Sequence, residues 1–263
     1  MATKIGESLR ILQHVAAQAD GVAEDAVIDA LGLTPRVAHK MVSELVDLAY
    51  LHFSDGLCPT AEGAAEGRAR RLMLGPSSVA FAGRVERHFP FSSIARRMML
   101  ELVQATRETV AINMYSRALM AGVCVAVEDG PHSLGYVIEV GEVKPLHAGA
   151  SGKTLLACLA EQELDTVLAR MPLLQVTPNT VTNTARLKEE LAVVRNQGFC
   201  MTHGERVTGA VGIGVPLRLG VVQTAALVIT IPEFRFQPET AHDLVALVQD
   251  KARAIEASVA GLP

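Results

Sequence analysis

The stretch Gly149-Ala-Ser-Gly-Lys-Thr154 holds the ingredients of a phosphate cradle: glycines, a lysine and a threonine where a helix opens. The spacing excludes that chemistry, because GxxxxGKT needs a glycine at 147 and the chain has His147 there. No strand runs straight into the loop, and no metal-holding aspartate follows another strand. What remains is a helix N-terminus, whose backbone N–H groups suit a carboxylate without any catalysis. Gly209-Ala-Val-Gly-Ile-Gly214 reads GxxGxG, the wrong order for a dinucleotide fingerprint, and marks a turn with close sheet packing. Ser151, His147 and His203 with Glu205 would compose a hydrolase set, but no GxSxG elbow surrounds the serine. The eight histidines show no ligand spacing, and Cys58, Cys124, Cys158 and Cys200 form no CxxC pair. The sequence therefore nominates no catalytic residue, no metal ligand and no cofactor.

A second set of chemistry-bearing residues lies near the start of the chain. Thr34-Pro35 opens a helix well, since threonine caps and proline in the first turn loses no needed N–H. At 100° per residue, Ala38, Met41, Val42, Leu45 and Ala49 share one face. Arg36, His39, Lys40, Ser43 and Asp47 share the other. Before this helix, Ile5, Leu9, Leu12 and Ala16, widened by Ile11 and Val15, form an amphipathic helix ended by Asp20-Gly21. A short helix then runs from about Glu24, with Val27, Ile28 and Leu31 inward, to Gly32. After the third helix, Tyr50–Phe53, Ser54-Asp55-Gly56 and Leu57-Cys58 read as strand, turn, strand. That order is a winged helix-turn-helix, whose last helix enters the major groove. The plain alternative is a three-helix cap with a solvated face. Residues 1–75 carry 7 Lys/Arg against 10 Asp/Glu, so Arg36, Lys40 and Arg68, Arg70 and Arg71 must supply the phosphate contacts.

The elements beyond these have a different composition. The chain has 263 residues, 49% apolar and 20% charged, with net charge −4: globular, and no general nucleic-acid coat. Residues 68–107 hold eight arginines against Glu86 and Glu101, and beyond 108 the chain turns to Val, Ile and Gly. Breaks at Gly75-Pro76-Ser77-Ser78 and Phe89-Pro90-Phe91 delimit a helical connector. The expected domains are 1–75, a linker over 76–92, and a mixed α/β domain over 93–263, an α+β protein overall. In the last, strands are expected at Thr109–Tyr115, Ala121–Val127, Gly135–Val140, Val211–Pro216 and Val221–Ile231. Helices are expected at Lys153–Ala160, Glu161–Arg170, Thr184–Gln197 and Glu239–Ala257. No run approaches 18 apolar residues and the first residues start no signal pattern, so a soluble, cytoplasmic protein without a membrane partner is expected.

Taken together, these motifs resemble the IclR family of bacterial transcriptional regulators over nearly the whole chain. The likeness runs through Ser8–Leu12, Leu31-Gly32-Leu33, His39-Lys40-Met41-Val42, Leu45 and Ala49-Tyr50-Leu51. Its most specific piece is Pro145-Leu-His-Ala-Gly-Ala-Ser-Gly-Lys-Thr-Leu-Leu-Ala157, followed by Gly198-Phe199, Glu205, Gly209 and Pro216. The resemblance implies a winged helix-turn-helix, a linker helix and a GAF-like effector domain, in a homodimer or dimer of dimers bound to double-stranded operator DNA. It implies DNA contacts at Thr34, Arg36, Val37, His39 and Lys40, with Ser43 on the same face. It implies an effector between the loop Gly149, Ala150, Ser151, Gly152 and the residues Thr202, Ala210, Gly212, Val228 and Thr230.

This chain departs from the family in ways that bear on both sites. Arg36-Val37 stands where the family has a Ser-Thr pair, and Leu57-Cys58-Pro59 replaces a basic wing. Thr202, Gly212 and Val228 stand where an acidic residue, a cysteine and a serine are common, making the expected cavity less polar and somewhat larger. A bulkier, partly apolar organic acid of about ten heavy atoms, aromatic acids included, is then expected over a small keto acid. The leading function is a ligand-responsive repressor or activator on a pseudo-palindromic operator. The alternatives are an effector sensor whose helix-turn-helix serves dimerisation or protein contact, and a GAF-like enzyme acting on small acids.

Overall fold

The chain folds as two units, residues 1–89 and 90–263, in a computed structural model that describes residues 3–54, 70–88, 91–132, 135–219 and 223–260. In the first unit, helix α1 (Lys4–Ala16) is capped by Thr3, whose hydroxyl accepts from Gly6 N at 3.2 Å. Its inward side is centred on Ile11 and Val15, which pack with Leu51 and Leu72. The expected seam through Ile5 and Leu9 instead faces outward, both side chains being exposed. Strand β1 (Val22–Ala23) leads into α2 (Glu24–Leu31), which ends at Gly32 with φ +62°, a left-handed stop that glycine adopts without strain. Gly32, Leu33 and Thr34 make the turn into α3 (Pro35–Asp47).

Thr34 is the N-cap of α3 in backbone conformation, but its side chain makes no capping bond, contrary to expectation. Ala38, Met41, Val42 and Leu45 are buried as the periodicity requires. Ala49 is not on that face: it lies past the helix end at φ +57°, where Tyr50 N closes onto Leu45 O at 2.9 Å. Strand β2 (Leu51–Ser54) pairs with β3 (Arg71–Leu74), which also pairs with β1, giving the antiparallel order β1-β3-β2. The expected return strand at Leu57-Cys58, the turn residues Asp55 and Gly56, Pro59 and Arg68 all lie outside the described residues. Helix α4 (Pro76–His88) starts just after Gly75, where a Cβ would stand 2.2 Å from Ala49 O. The expected break at Phe89-Pro90 lies outside the described residues.

The second unit opens with α5 (Phe91–Thr106), β4 (Thr109–Ser116) and β5 (Ala121–Glu128). It continues through β6 (Val143–Lys144), α6 (Gly149–Cys158), α7 (Glu161–Arg170) and α8 (Thr184–Gln197). Then come β7 (Cys200–His203), β8 (Ala210–Leu219), β9 (Gln223–Pro232) and α9 (Ala241–Ala260). The strands form one antiparallel sheet in the order β6-β5-β4-β9-β8-β7. Because successive side chains alternate sides, the sheet builds two separate interiors. Val110 and Ile112 of β4, Val211 and Ile213 of β8, and Leu227 and Ile229 of β9 pack with Met99 of α5 and Val248 and Ile255 of α9. On the opposite face, Ala226 and Val228 pack with Leu155 and Leu156 of α6 and with Leu187 and Leu191 of α8.

Two expectations for this unit are corrected. Gly135–Val140 is not a strand: Val137 is 86% exposed, Ile138 is buried against Cys124 and Ala111, and the backbone bonds to β5 come just past the segment, where Gly141 N donates to Cys124 O and Cys124 N to Glu142 O. Helix α6 begins at Gly149 rather than Lys153, so the glycine-rich stretch is helix and not loop. Among the described residues, no helix is long and apolar enough to cross a membrane.

Candidate functional site

The face of the sheet turned toward α6 carries unusually small side chains, and a cavity of about 90 Å³ opens there. Ala111 and Asn113 of β4, Thr202 of β7, Ala210 and Gly212 of β8, and Val228 and Thr230 of β9 form its floor. Gly149, Ala150 and Ser151 of α6 form its roof; Tyr136, Ile138 and Lys144 close the side. Eight of the nine residues expected at an effector are thus brought together. Gly152 is the exception: a Cβ there would stand 2.4 Å from Leu146 O, so it faces packed backbone. Gly212 leaves little more freedom, since a Cβ would meet that of Ala150 at 3.1 Å.

The walls contain polar groups that lack partners. Both amide atoms of Asn113, which is 1% exposed, and the Ser151 hydroxyl are buried without a hydrogen bond among the described residues. Each such group costs about 1–3 kcal/mol when left unpaired. Nothing in the sequence singled out Asn113 or Lys144. The available signal was parity: Asn113 is an amide at an alternating position of an otherwise apolar strand, and Lys144 directly precedes the Pro145–Ala157 motif.

Charge around the cavity is arranged in two groups. Lys153 is fully buried and bonds Glu190 Oε2 at 2.6 Å and Glu205 Oε1 at 2.5 Å. The other Glu205 oxygen accepts from Gly149 N at 3.2 Å, so a carboxylate of the chain itself already sits at the α6 N-terminus. In the second group, Arg206 Nη1 bonds Glu142 Oε1 at 2.8 Å while Lys144 Nζ lies 3.5 Å from Glu142 Oε2. Burial pushes the Lys144 ammonium below the usual lysine value, and the Arg206 charge adds to this against the pull of Glu142. Burial alone would raise the Glu142 carboxyl; the bond from Arg206 and the Lys144 charge outweigh it and hold that carboxyl below its ordinary value.

The residues imagined as a hydrolase do not converge. His147 Nε2 bonds Leu174 O at 2.7 Å, and His203 packs edge-on to Phe236 with ring centroids 5.6 Å apart. Glu205 is committed to Lys153, and no base touches Ser151 among the described residues. Lys153, the lysine of the false phosphate loop, is likewise spent on carboxylates.

In the first unit, Thr34, Arg36, Val37, His39, Lys40 and Ser43 are all exposed on the outer face of α3 and the turn before it. His39 Nδ1 lies 2.6 Å from Glu24 Oε1, tying the recognition face to α2. Of the arginines expected to hold phosphate, Arg71 Nη2 donates to Gly21 O at 2.7 Å, and the Arg70 guanidinium lies 4.4 Å over the Phe53 ring.

A helix-turn-helix whose last helix exposes Arg36 and Lys40, and a second unit with a cavity lined by small apolar side chains and a few polar ones, define the class: a DNA-binding transcriptional regulator with a ligand domain. Residues 85–257 match the family model described as the C-terminal part of the bacterial transcriptional regulator IclR. The HTH-type transcriptional regulator KdgR of Escherichia coli K12 is 29% identical over 231 residues, 87% of this chain and 86% of that protein. The Thermotoga maritima IclR structure is 23% identical with a TM-score of 0.72, covering 97% of this chain and 98% of that one. An IclR homologue from Microbacterium hydrocarbonoxydans, crystallised with 4-hydroxybenzoate, is 22% identical with a TM-score of 0.78, covering 99% and 100%. The chain belongs to the IclR family of transcriptional regulators.

Proposed function

We infer that the protein is a cytoplasmic, ligand-responsive repressor or activator that binds a pseudo-palindromic operator as a dimer or dimer of dimers and senses a small organic acid. Residues 1–75 are the DNA-binding part, 76–92 the linker and 93–263 the sensor. The observation behind the sensor role is the pair Asn113 and Ser151, buried and unpartnered on a cavity wall: a ligand supplies the missing hydrogen bonds. Gly149, Ala150, Ser151, Thr202, Ala210, Gly212, Val228 and Thr230 contact it, and Gly152 only sets the path of α6.

The volume bears on ligand size. A cavity of about 150 Å³ is what holds a benzene ring, and this one measures about 90 Å³. The 4-hydroxybenzoate bound by the Microbacterium homologue would fit here only if the walls moved apart, so a compact acid is favoured over an aromatic one.

Thr34, Arg36, Val37, His39, Lys40 and Ser43 meet the DNA. With so few cations on one unit, two-fold repetition is needed for tight binding. Exposed apolar side chains of the same unit, Ile5 and Leu9 on α1 and Val79, Phe81 and Val85 on α4, suit a homodimer contact. Fluorescence anisotropy on DNA upstream of the gene, titrated with acids of four to ten heavy atoms (the range about 90 Å³ and a modest opening admit), tests the whole reading. Affinity for DNA that no acid alters, in a protein whose melting no acid shifts, would overturn it.

A further inference from the structure

The effector reading leaves the position of the ligand's charge to be found. The α6 N-terminus is an obvious anion seat, but one carboxylate already shares it: Glu205 Oε2 accepts from Gly149 N, the first of its amides, and Glu205 Oε1 is bound by Lys153. A ligand carboxylate placed there would face a fixed carboxylate of the chain, and like charges in such proximity repel.

Lys144 is the opposite case. Its side chain is 4% exposed, and the carboxylate beside it, Glu142, is 3.5 Å away and already bonded to Arg206. Two cations share one carboxylate, and the Lys144 contact with it, at 3.5 Å against 2.8 Å for Arg206, is the longer. An ammonium this enclosed, held by one distant and shared carboxylate, keeps donors to spare, and an anion in the cavity gives them a partner. Asn113 lies on the same face: it stands opposite Cys124 of β5, whose N–H is bonded to Glu142 O at 3.0 Å. The carboxamide offers one acceptor and two donors, all unpaired. A hydroxyl, which donates and accepts, satisfies both its oxygen and its nitrogen; a ketone leaves the Asn113 oxygen bare. An amino acid would bring a second ammonium toward Lys144 and Arg206.

We propose that Lys144 and Asn113 are the specificity-determining pair of this cavity, and that the ligand is a compact hydroxy-carboxylic acid with its carboxylate on Lys144 Nζ and its hydroxyl on Asn113. This rests on the effector reading above. Set against the about 150 Å³ that holds the six heavy atoms of benzene, about 90 Å³ with a modest opening of the walls admits an acid of about five to seven heavy atoms.

The test uses the full chain in carboxylate-free buffer. Glycolate, lactate, 3-hydroxypropionate and glycerate are titrated by calorimetry beside glycolamide, lactamide and propionate. At least one hydroxy acid is expected to bind, and its amide to bind at least tenfold more weakly. Lys144→Met is expected to weaken the acid by about ten- to hundredfold, as loss of a charged hydrogen bond does. Asn113→Ala is expected to abolish the preference for lactate over propionate. Ligand-free Lys144→Met should melt no lower than the parent, because Glu142 keeps Arg206. If Lys144→Met binds the acid unchanged, if the amide binds as well as the acid, or if the ligand-free variant melts several degrees lower, the Lys144 assignment falls while the effector reading stands. Lactate and propionate bound equally by the parent would remove the Asn113 role. If none of these acids, nor any in the wider series above, binds the parent protein, both fall together.

Discussion

Replacing Lys153 by methionine isolates the largest electrostatic commitment in the second unit. The ammonium ties α6 to α8 through Glu190 and to the segment after β7 through Glu205, at 2.6 and 2.5 Å. Methionine keeps the length and apolar stem, so little packing is lost. What changes is charge: two carboxylates that converged on one cation now face each other. Glu190 is partly solvated and retains Arg186 at 3.1 Å, so most of the cost falls on Glu205, which is nearly buried. Removing one partner of a buried ion pair costs about 3–5 kcal/mol, whereas replacing both partners is often close to neutral. For a unit of this size the loss corresponds to a drop in Tm of roughly 6–20 °C. Lys153→Met with Glu205→Gln should regain at least half of it, since glutamine can still accept from Gly149 N. Scanning calorimetry and urea melts of the four members of the cycle measure the coupling directly. A single variant within about 1 kcal/mol of the parent, or a double variant no better than the single, would refute the idea that Lys153 is held by charge rather than by shape.

On α3, Arg36→Ala should cost about 1–3 kcal/mol of DNA affinity if the guanidinium reads a base; Lys40→Ala should weaken all sequences alike and flatten the salt dependence by about one phosphate contact, both read by anisotropy across a salt series. Gly152→Ala should destabilise by about 1–3 kcal/mol, because its Cβ meets Leu146 O at 2.4 Å, whereas Gly83→Ala in α4, with open space around it, should stabilise by about 0.5–1 kcal/mol in urea melts. Burial pushes the Cys200 thiol up to about 12, so at pH 8 only about one molecule in ten thousand carries the thiolate, and mass spectrometry after iodoacetamide treatment should find Cys200 modified only in unfolded protein.

Where local signals suffice, the sequence reads correctly. Helix α8 runs Thr184–Gln197 as expected because Asn183 caps one end and Gly198, at φ +76°, stops the other. The α2–turn–α3 unit is legible through the Gly32 stop at φ +62° and the buried face of α3, although Thr34 makes no capping bond. Strand β3 is not, because Arg71–Leu74 looks like part of a basic cluster until Val22 and Leu51 arrive from distant sequence to pair with it. Gly135–Val140 has the composition of a strand, but among the described residues no strand pairs with it. All but Gly152 of the residues expected through the glycine-rich motif and its companions line the cavity. Asn113 and Lys144 escaped because their meaning depends on the empty space opposite, and that space is created by Ala150 and Gly212 from other elements.

The alternation along β4, β8 and β9 assigns the two halves of the protein's task to different letters of the same strands. Ile112, Ile213 and Ile229 pack against α5 and α9, while their neighbours Asn113, Gly212, Val228 and Thr230 look into the cavity. On the effector reading, a substitution on the second set changes what is sensed without reaching across the backbone into the first. The same reading leaves ligand choice free to drift by single exchanges at low cost to folding, with one geometric limit. The space rests on Ala111, Ala150, Ala210 and Gly212 staying small, so new specificities are gained more readily by altering polarity than by adding bulk.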